Sequence, residues 1–107
     1  DIAAVNTALA CRIEKPKGAP VIRDVRISAG GVGPTPLFLE KASAFAEGKT
    51  VDAGLARETA RIAAEGTSPM SDARGSAAYR KTMVERLVIA HFLRLFPELK
   101  LEEELFA

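Results

Sequence analysis

The chain opens with two runs in which apolar and polar residues alternate, with a polar turn between them. In the first run, 5–14, the side chains predicted to point inward are Val5, Thr7, Leu9, Cys11 and Ile13. In the second run, 21–29, they are Val25, Ile27 and Ala29, and those predicted to point outward are Asp24, Arg26 and Ser28. A period of two is typical of half-buried strands. The connecting "KPKGAP" (15–20) suits a turn, so the pattern predicts an antiparallel hairpin over 4–29.

The next segment, "GGVGPTP" (30–36), ends the second strand because its glycines allow positive φ and its prolines interrupt regular structure. We interpret it as a strand-end turn rather than a phosphate-binding loop, since it opens no helix and carries no phosphate-loop lysine. A short strand and helix are expected over 37–47: "LFLE" (37–40) pairs briefly at the sheet edge, and Gly48 closes the helix as its C′ residue.

Two longer helices are predicted in the second half of the chain. The first covers 53–65, with Asp52 as N-cap and Gly66 in the left-handed conformation after its end. Its inner face is predicted to contain Leu55, Ala56, Thr59, Ile62 and Ala63. The second covers 76–96, with Ser76 as a candidate cap and Pro97 beyond its end.

Strands followed by helices indicate an α+β fold. We expect a two-layer sandwich in which a small antiparallel sheet of two or three strands is covered by helices. It forms one domain over residues 1–97, and the acidic, partly apolar tail 98–107 is loosely held unless it docks elsewhere.

The last helix has apolar residues on two sides. One arc in its first half contains Tyr79, Met83, Val84, Leu87 and Val88. In its second half the opposite side contains Ile89, Phe92, Leu93 and Phe96. A helix that is apolar on both sides needs a cover on both. Two alternatives stay open: another domain or subunit covers the second side, or the tail folds back and covers it with Leu99, Leu101, Leu105 and Phe106.

The stretch before this helix, "SPMSDARGSAAYRK" (68–81), concentrates charged and hydroxyl side chains. Arg80 falls within the first apolar arc, where an unpaired buried charge is costly. Asp72 can curl back to form a bidentate pair with it, and Asp72 and Arg74 can hold the turn that positions Ser76. We therefore interpret the stretch as an anchor for the start of the helix, in preference to an anion or substrate site.

Composition excludes several functional classes. The chain has 107 residues, of which 48% are hydrophobic and 27% charged, as expected for one globular domain. Lys and Arg number 15 against 14 Asp and Glu, so the net charge of +1 predicts no nucleic-acid or membrane partner. No apolar run approaches the roughly 20 residues of a membrane span. A single cysteine, Cys11, forms no internal disulfide, which favours a reducing, cytoplasmic location.

Catalytic and metal-binding constellations are not evident. His91 is the only histidine and has no Cys, Asp or Glu at i±4, which disfavours a metal site. A nucleophilic Cys11–His91 pair stays open, although a cysteine on the inner face of a strand is more typical of inert packing. From the residues alone, we predict a non-catalytic module with no catalytic or metal-ligating residues of its own.

Four segments in this order resemble a known family: "DIAAVNTALACRIE", "VRISAGGVGPTP", "EKASAFAEGK" and "SPMSDARGSAAYRKTMVERLV". They are similar to the C-terminal subdomain of the FAD-binding part of the molybdenum hydroxylases, the xanthine dehydrogenase and carbon monoxide dehydrogenase family. The resemblance runs from Asp1 to about Pro97 and looks closest to bacterial xanthine dehydrogenases. The start at Asp1, directly before a strand, is expected for a piece of a longer chain.

The resemblance implies an oxidoreductase in which electrons pass from molybdopterin through two [2Fe–2S] clusters to FAD and on to NAD. It implies that a preceding FAD-binding core holds most of the flavin and that Asp1 and Ile2 lie near the flavin ring. Asp72, Arg74, Tyr79 and Arg80 match the helix-start motif and are expected to be structural. The implied partners are that core, an iron–sulfur domain and a molybdopterin subunit, in a hetero-oligomer.

The function expected from this resemblance is indirect: the domain shields the flavin site and packs against neighbouring domains, while the parent enzyme performs the chemistry in purine catabolism. Two alternatives remain. One is an α+β protein-interaction module with no redox role. The other is the same subdomain in an enzyme that oxidises carbon monoxide or an N-heterocycle.

Overall fold

The computed structural model describes residues 5–30, 36–67 and 77–106. It confirms the α+β class, with helices packed on a small antiparallel sheet. Three strands come first, in sheet order β1-β2-β3: β1 (Asn6–Glu14), β2 (Val21–Gly30) and β3 (Leu37–Phe38). The helices follow: α1 (Glu40–Ala46), α2 (Ala53–Gly66), α3 (Ala77–Leu95), a 3-10 turn (Pro97–Leu99) and α4 (Glu102–Leu105). No helix in these ranges is both long and apolar enough to cross a membrane.

The predicted hairpin is confirmed, with Asn6 opposite Gly30 and Glu14 opposite Val21. Because β2 is the central strand, its inner residues Val25, Ile27 and Ala29 are buried as predicted. The inner residues of β1 are only half-buried, since β1 lies at the edge of the sheet. Ile13 departs furthest from the prediction: it lies opposite Ile22 but remains 42% exposed.

A β-bulge interrupts the hairpin near Cys11. The register shifts between Ala10 and Arg12, so that Asp24 and Val25 of β2 together face one residue of β1. Asp24 adopts φ 54°, the left-handed conformation that asparagine, aspartate and glycine tolerate best. The bulge turns the N–H groups of Asp24 and Val25 toward the side of β2 that faces α1, where they need acceptors.

Helix α1 supplies those acceptors with side chains. The Glu47 carboxylate, just after α1, accepts hydrogen bonds from the backbone N–H of Asp24 (3.0 Å) and of Val25 (2.9 Å). One turn earlier, Ser43 Oγ accepts from Ile27 N–H at 3.0 Å and donates to the Leu39 carbonyl at 2.8 Å. Residues at i and i+4 share one helix face, so α1 lies along the edge of β2 in place of a longer third strand.

Replacing Ser43 with alanine should lower the free energy of unfolding by about 1–3 kcal/mol, because the buried Ile27 N–H loses its acceptor. Denaturant unfolding monitored by circular dichroism measures the change. Ala44→Ser, on the exposed side of the same helix, is the control and should change stability by less than about 0.5 kcal/mol. Equal stabilities of the two variants would contradict the role assigned to Ser43.

Helix ends were predicted with mixed success. The Asp52 cap is confirmed: its carboxylate accepts from Leu55 N–H at 2.7 Å. Gly48 follows α1 with φ 75°, as predicted. The prediction for Gly66 is wrong, because α2 continues through it and ends at Thr67, whose hydroxyl donates to the Ala64 carbonyl at 2.7 Å. Local capping by the Thr67 hydroxyl therefore replaces the left-handed glycine.

The buried face of α3 is a single stripe at four-residue spacing, made of Arg80, Val84, Val88 and Phe92 and continued by Phe96 directly after the helix. A step of four residues rotates roughly 40° beyond a full turn, so the stripe winds around the helix. This winding corrects the prediction of two opposed apolar faces. Tyr79, placed in the first arc, is 58% exposed, and Ile89 and Leu93 are half-buried.

The tail joins the apolar core to which the second half of α3 belongs. Leu101 is 2% exposed and belongs to the same apolar core as Phe92 and Phe96. Leu99 and Leu105 pack against this core, whereas Phe106, also expected to cover the helix, is 66% exposed. Phe92 and Phe96 are therefore buried within the chain itself, and the first alternative, cover by another domain or subunit, is not needed for them.

Candidate functional site

At one end of the hairpin, the start of β1, the end of β2 and the start of β3 lie side by side. We call this the open end. Asn6 at the start of β1 faces Gly30 at the end of β2, and Leu37 of β3 pairs with the adjacent Ala29. A Cβ atom at Gly30 would lie 2.9 Å from Asn6 Oδ1. A side chain at position 30 would therefore have to displace the Asn6 side chain, which marks a close approach of the two strands.

The start of α3 adjoins the same end through α2. Lys81 Nζ lies 3.3 Å from Glu65 Oε1, which joins the first turns of α3 to the last turn of α2. The neighbouring Gly66 packs on Leu39, whose Cδ2 would be 3.2 Å from a Cβ atom at that glycine. The first described turns of α3 are thus linked through α2 to Leu39, two residues beyond Leu37 of the open end.

The six residues predicted from the resemblance have different outcomes. Asp1, Ile2, Asp72 and Arg74 lie outside the described residues. Arg80 is 4% exposed, as its place in the apolar arc predicts, whereas Tyr79 is mostly exposed. The structural roles of these residues remain predictions.

Sequence reasoning did not find the hydrogen bond between His91 and Thr7. His91 Nε2 lies 2.8 Å from Thr7 Oγ1, which ties α3 to β1. Partial burial lowers the pKa of His91 below its usual 6.5, and nearby Arg94 acts in the same direction, while the contact with Thr7 opposes the shift. The pair spans 84 sequence positions, so no local pattern could have indicated it.

The geometry argues against a nucleophilic Cys11–His91 pair. His91 is bonded to Thr7, and Cys11 lies four residues further along the strand, about 13 Å away. Burial also raises the pKa of the Cys11 thiol, which is opposite to what an activated nucleophile requires. Within the described ranges, no three His, Cys, Asp or Glu residues are grouped closely enough to hold a metal ion.

Acidification should destabilise the domain as the pH falls from about 7 through and below 6.5. The folded state has the lower His91 pKa, so below 6.5 the unfolded state binds more protons and gains stability. Thermal unfolding across this pH range measures the effect, and His91→Gln should flatten it. Glu14 and Glu58, whose pKa values are lowered from 4.5 by Arg12 and Arg61, respond only at more acid pH. An unchanged slope in His91→Gln would contradict this assignment.

A groove adjoins the open end on the side of β3. It has a volume of about 710 Å³, and the apolar residues that line it are Phe38, Leu39, Ala42, Ile62 and Gly66. Phe38 is 54% exposed, whereas Leu39 and Ala42 are buried. The groove therefore presents apolar surface next to the place where the three strands meet.

Comparisons with known proteins place the fold in a family. The chain is 29% identical over 90 residues to aldehyde oxidase 2 of Mus musculus, a match that covers 83% of this chain and 7% of the relative. It is 28% identical to the solved cyanide-inactivated Cu,Mo-CO dehydrogenase, with a TM-score of 0.57 over 78% of this chain and 29% of that one. Quinoline 2-oxidoreductase from Pseudomonas putida 86 shares the fold at 22% identity and TM-score 0.58, over 97% of this chain and 39% of that one.

These relatives are much longer than the chain, which spans 7% of the aldehyde oxidase and 29% of the CO dehydrogenase polypeptide. The family model described as "CO dehydrogenase flavoprotein C-terminal domain" matches residues 1–95, nearly the whole chain. The match includes the hairpin, the open end and all of α3. The chain belongs to this family and is a flavoprotein C-terminal domain of the molybdenum hydroxylases.

Proposed function

We propose that the chain is the C-terminal domain of the FAD-containing part of a xanthine dehydrogenase-like oxidoreductase. In that enzyme, electrons pass from molybdopterin and iron–sulfur clusters to FAD and then to NAD, and this domain shields one side of the flavin site. The observation that carries the proposal is the family match over residues 1–95. Membership in a flavoprotein family favours this function over a protein-interaction module with no redox role.

The described residues suit a role beside the flavin better than a role in holding its pyrophosphate. A pyrophosphate commonly binds at the N-terminus of a helix, where free backbone N–H groups attract anions. At the start of α2, the Asp52 carboxylate already accepts from Leu55 N–H and places a negative charge there. The proposal therefore assigns the pyrophosphate to the preceding FAD-binding core, as the resemblance implies.

The part of this chain that shields the flavin is then its open end. Asp1 and Ile2, which precede β1, are proposed to lie beside the flavin ring. Gly30 and Asn6 close the sheet at the open end, and the His91–Thr7 hydrogen bond holds β1 on α3. The bound flavin supplies the electron chemistry, while these residues exclude water and oxygen from one side and limit where NAD approaches.

The purified 107-residue chain should not retain FAD, because most of the groups that bind the cofactor belong to the preceding core. The absorbance of the chain after gel filtration measures bound flavin, and the full-length flavoprotein is the positive control. Stoichiometric yellow flavin in the isolated chain would contradict the assignment of binding to the core.

The full-length enzyme should show flavin and iron–sulfur absorbance together, and a colourless parent protein would overturn the proposed function.

A second candidate is the same domain in an enzyme that oxidises carbon monoxide or an N-heterocycle. The likeness to the solved CO dehydrogenase at 28% identity supports this possibility. Activity of the full-length enzyme distinguishes the candidates: NAD reduction with xanthine supports the first, and oxidation of carbon monoxide or quinoline without xanthine turnover supports the second.

A further inference from the structure

The groove between α2 and the β3–α1 segment presents apolar surface to the outside. Phe38 stands at its mouth with 54% of its surface exposed, and Ile62 of α2 is half-buried on the other wall. Large exposed aromatic residues beside an apolar depression are typical of surfaces that another polypeptide covers. This surface differs from the second half of α3, where the tail residue Leu101 belongs to the core.

The charged residues at the rim favour a polypeptide over a charged small molecule. Arg61 forms an ion pair with Glu58, with Nη2 and Oε2 2.5 Å apart, and Glu65 pairs with Lys81 at 3.3 Å. Glu40 and Lys41 also line the groove, so its lining holds two acidic and two basic side chains and offers little net attraction to an anionic or cationic ligand. The apolar part of the lining is then the main source of binding energy, as it is where apolar side chains pack into a groove.

The position of the groove indicates which polypeptide is within reach. Phe38 pairs with Ser28 of β2, and Ser28 pairs with Ala8 of β1. Two strand spacings, about 10 Å, therefore separate Phe38 from the strand through which the preceding polypeptide enters the domain. A C-terminal domain follows the other parts of its flavoprotein, and this chain spans 29% of the solved CO dehydrogenase polypeptide.

We infer that the groove binds an apolar segment from the preceding part of the same flavoprotein polypeptide, with its side chains against Phe38 and Ile62. This inference rests on the proposed function and adds to it the surface through which the domain is held against the flavin-binding core. The preceding polypeptide then meets the domain at two places: it continues into β1, and one of its segments packs in the groove. These two contacts hold the open end in position.

Photo-crosslinking in the full-length flavoprotein tests the inference. Phe38 is replaced by the photoreactive residue p-benzoylphenylalanine, the purified protein is irradiated, and the crosslinked peptides are identified by mass spectrometry. The expected product joins position 38 to a peptide that precedes residue 1 in the same polypeptide. The matched control carries the same residue at Phe106, which is 66% exposed beside α4, and its yield of that product should be at least fivefold lower.

Four outcomes would overturn the inference: crosslinks confined to residues 1–107, crosslinks to a second copy, crosslinks to a different subunit, or no crosslink at position 38. The flavin content of the same preparation is measured separately. A flavin-loaded protein with the wrong crosslink overturns the inference and leaves the proposed function intact. A protein without flavin overturns the proposed function whatever the crosslink shows.

Discussion

Phe92→Ala should lower the free energy of unfolding by about 3–5 kcal/mol, the usual cost of truncating a fully buried phenylalanine. The Phe92 side chain is 0% exposed, and its ring stacks on Phe96 with centroids 6.3 Å apart. The substitution removes apolar contacts and leaves a cavity in the core, to which the tail residue Leu101 also belongs. Urea unfolding followed by far-ultraviolet circular dichroism measures the loss.

Phe106→Ala is the matched control for this prediction. Phe106 is 66% exposed, so its truncation should change the free energy of unfolding by less than about 0.5 kcal/mol. A similar loss in both variants would contradict the burial of Phe92 within the chain. Such a result would favour the alternative in which this face of α3 is covered only by a neighbouring domain.

Arg80→Ala should lower the free energy of unfolding by about 2–4 kcal/mol, since removing one member of a buried ion pair leaves its partner without compensation. Arg80 is 4% exposed at the head of the stripe that continues through Val84 and Val88. The proposed partner is Asp72, which lies outside the described residues. Chemical denaturation of the 107-residue chain measures the change.

Two further variants distinguish the loss of an ion pair at Arg80 from the loss of side-chain packing. Arg86→Ala, on the exposed side of α3, should change stability by less than about 0.5 kcal/mol. The double variant Asp72→Ala/Arg80→Ala should lose less stability than the sum of the single variants if the two residues pair. Additive losses would remove Asp72 as the partner, and an unchanged stability of Arg80→Ala would show that its charge is solvated.

The buried stripe of α3 shows why the helix pattern was misread from the sequence. Val84 and Val88 fall on one side of a helical wheel and Phe96 on another, which suggested two separate faces. In the structure a single four-residue stripe runs along the buried side of α3, which packs on α2 and on β1, so one winding surface replaces two faces. The direction of that winding depends on how α3 crosses its neighbours.

Little of the candidate site could be predicted from the sequence without the fold. The resemblance supplied Asp1 and Ile2, but the junction of Asn6, Gly30 and Leu37 required the strand register. The Thr7–His91 hydrogen bond and the groove between β3 and α2 each join segments far apart in the chain. Only Arg80 carried a local signal, as a charged residue within an apolar arc.

The sequence by itself determined the elements whose cause is local. Alternation over a few residues specifies the hairpin, and Asp52 caps a helix that begins at the next residue. Tertiary structure alone decided how those elements satisfy one another. The N–H groups at the bulge bond to Glu47, 22 and 23 positions away, and Leu101 completes the core around Phe92. Such distant partners depend on the packing of α1 and the tail, because many residues could accept a hydrogen bond or fill a gap and only the folded geometry selects among them.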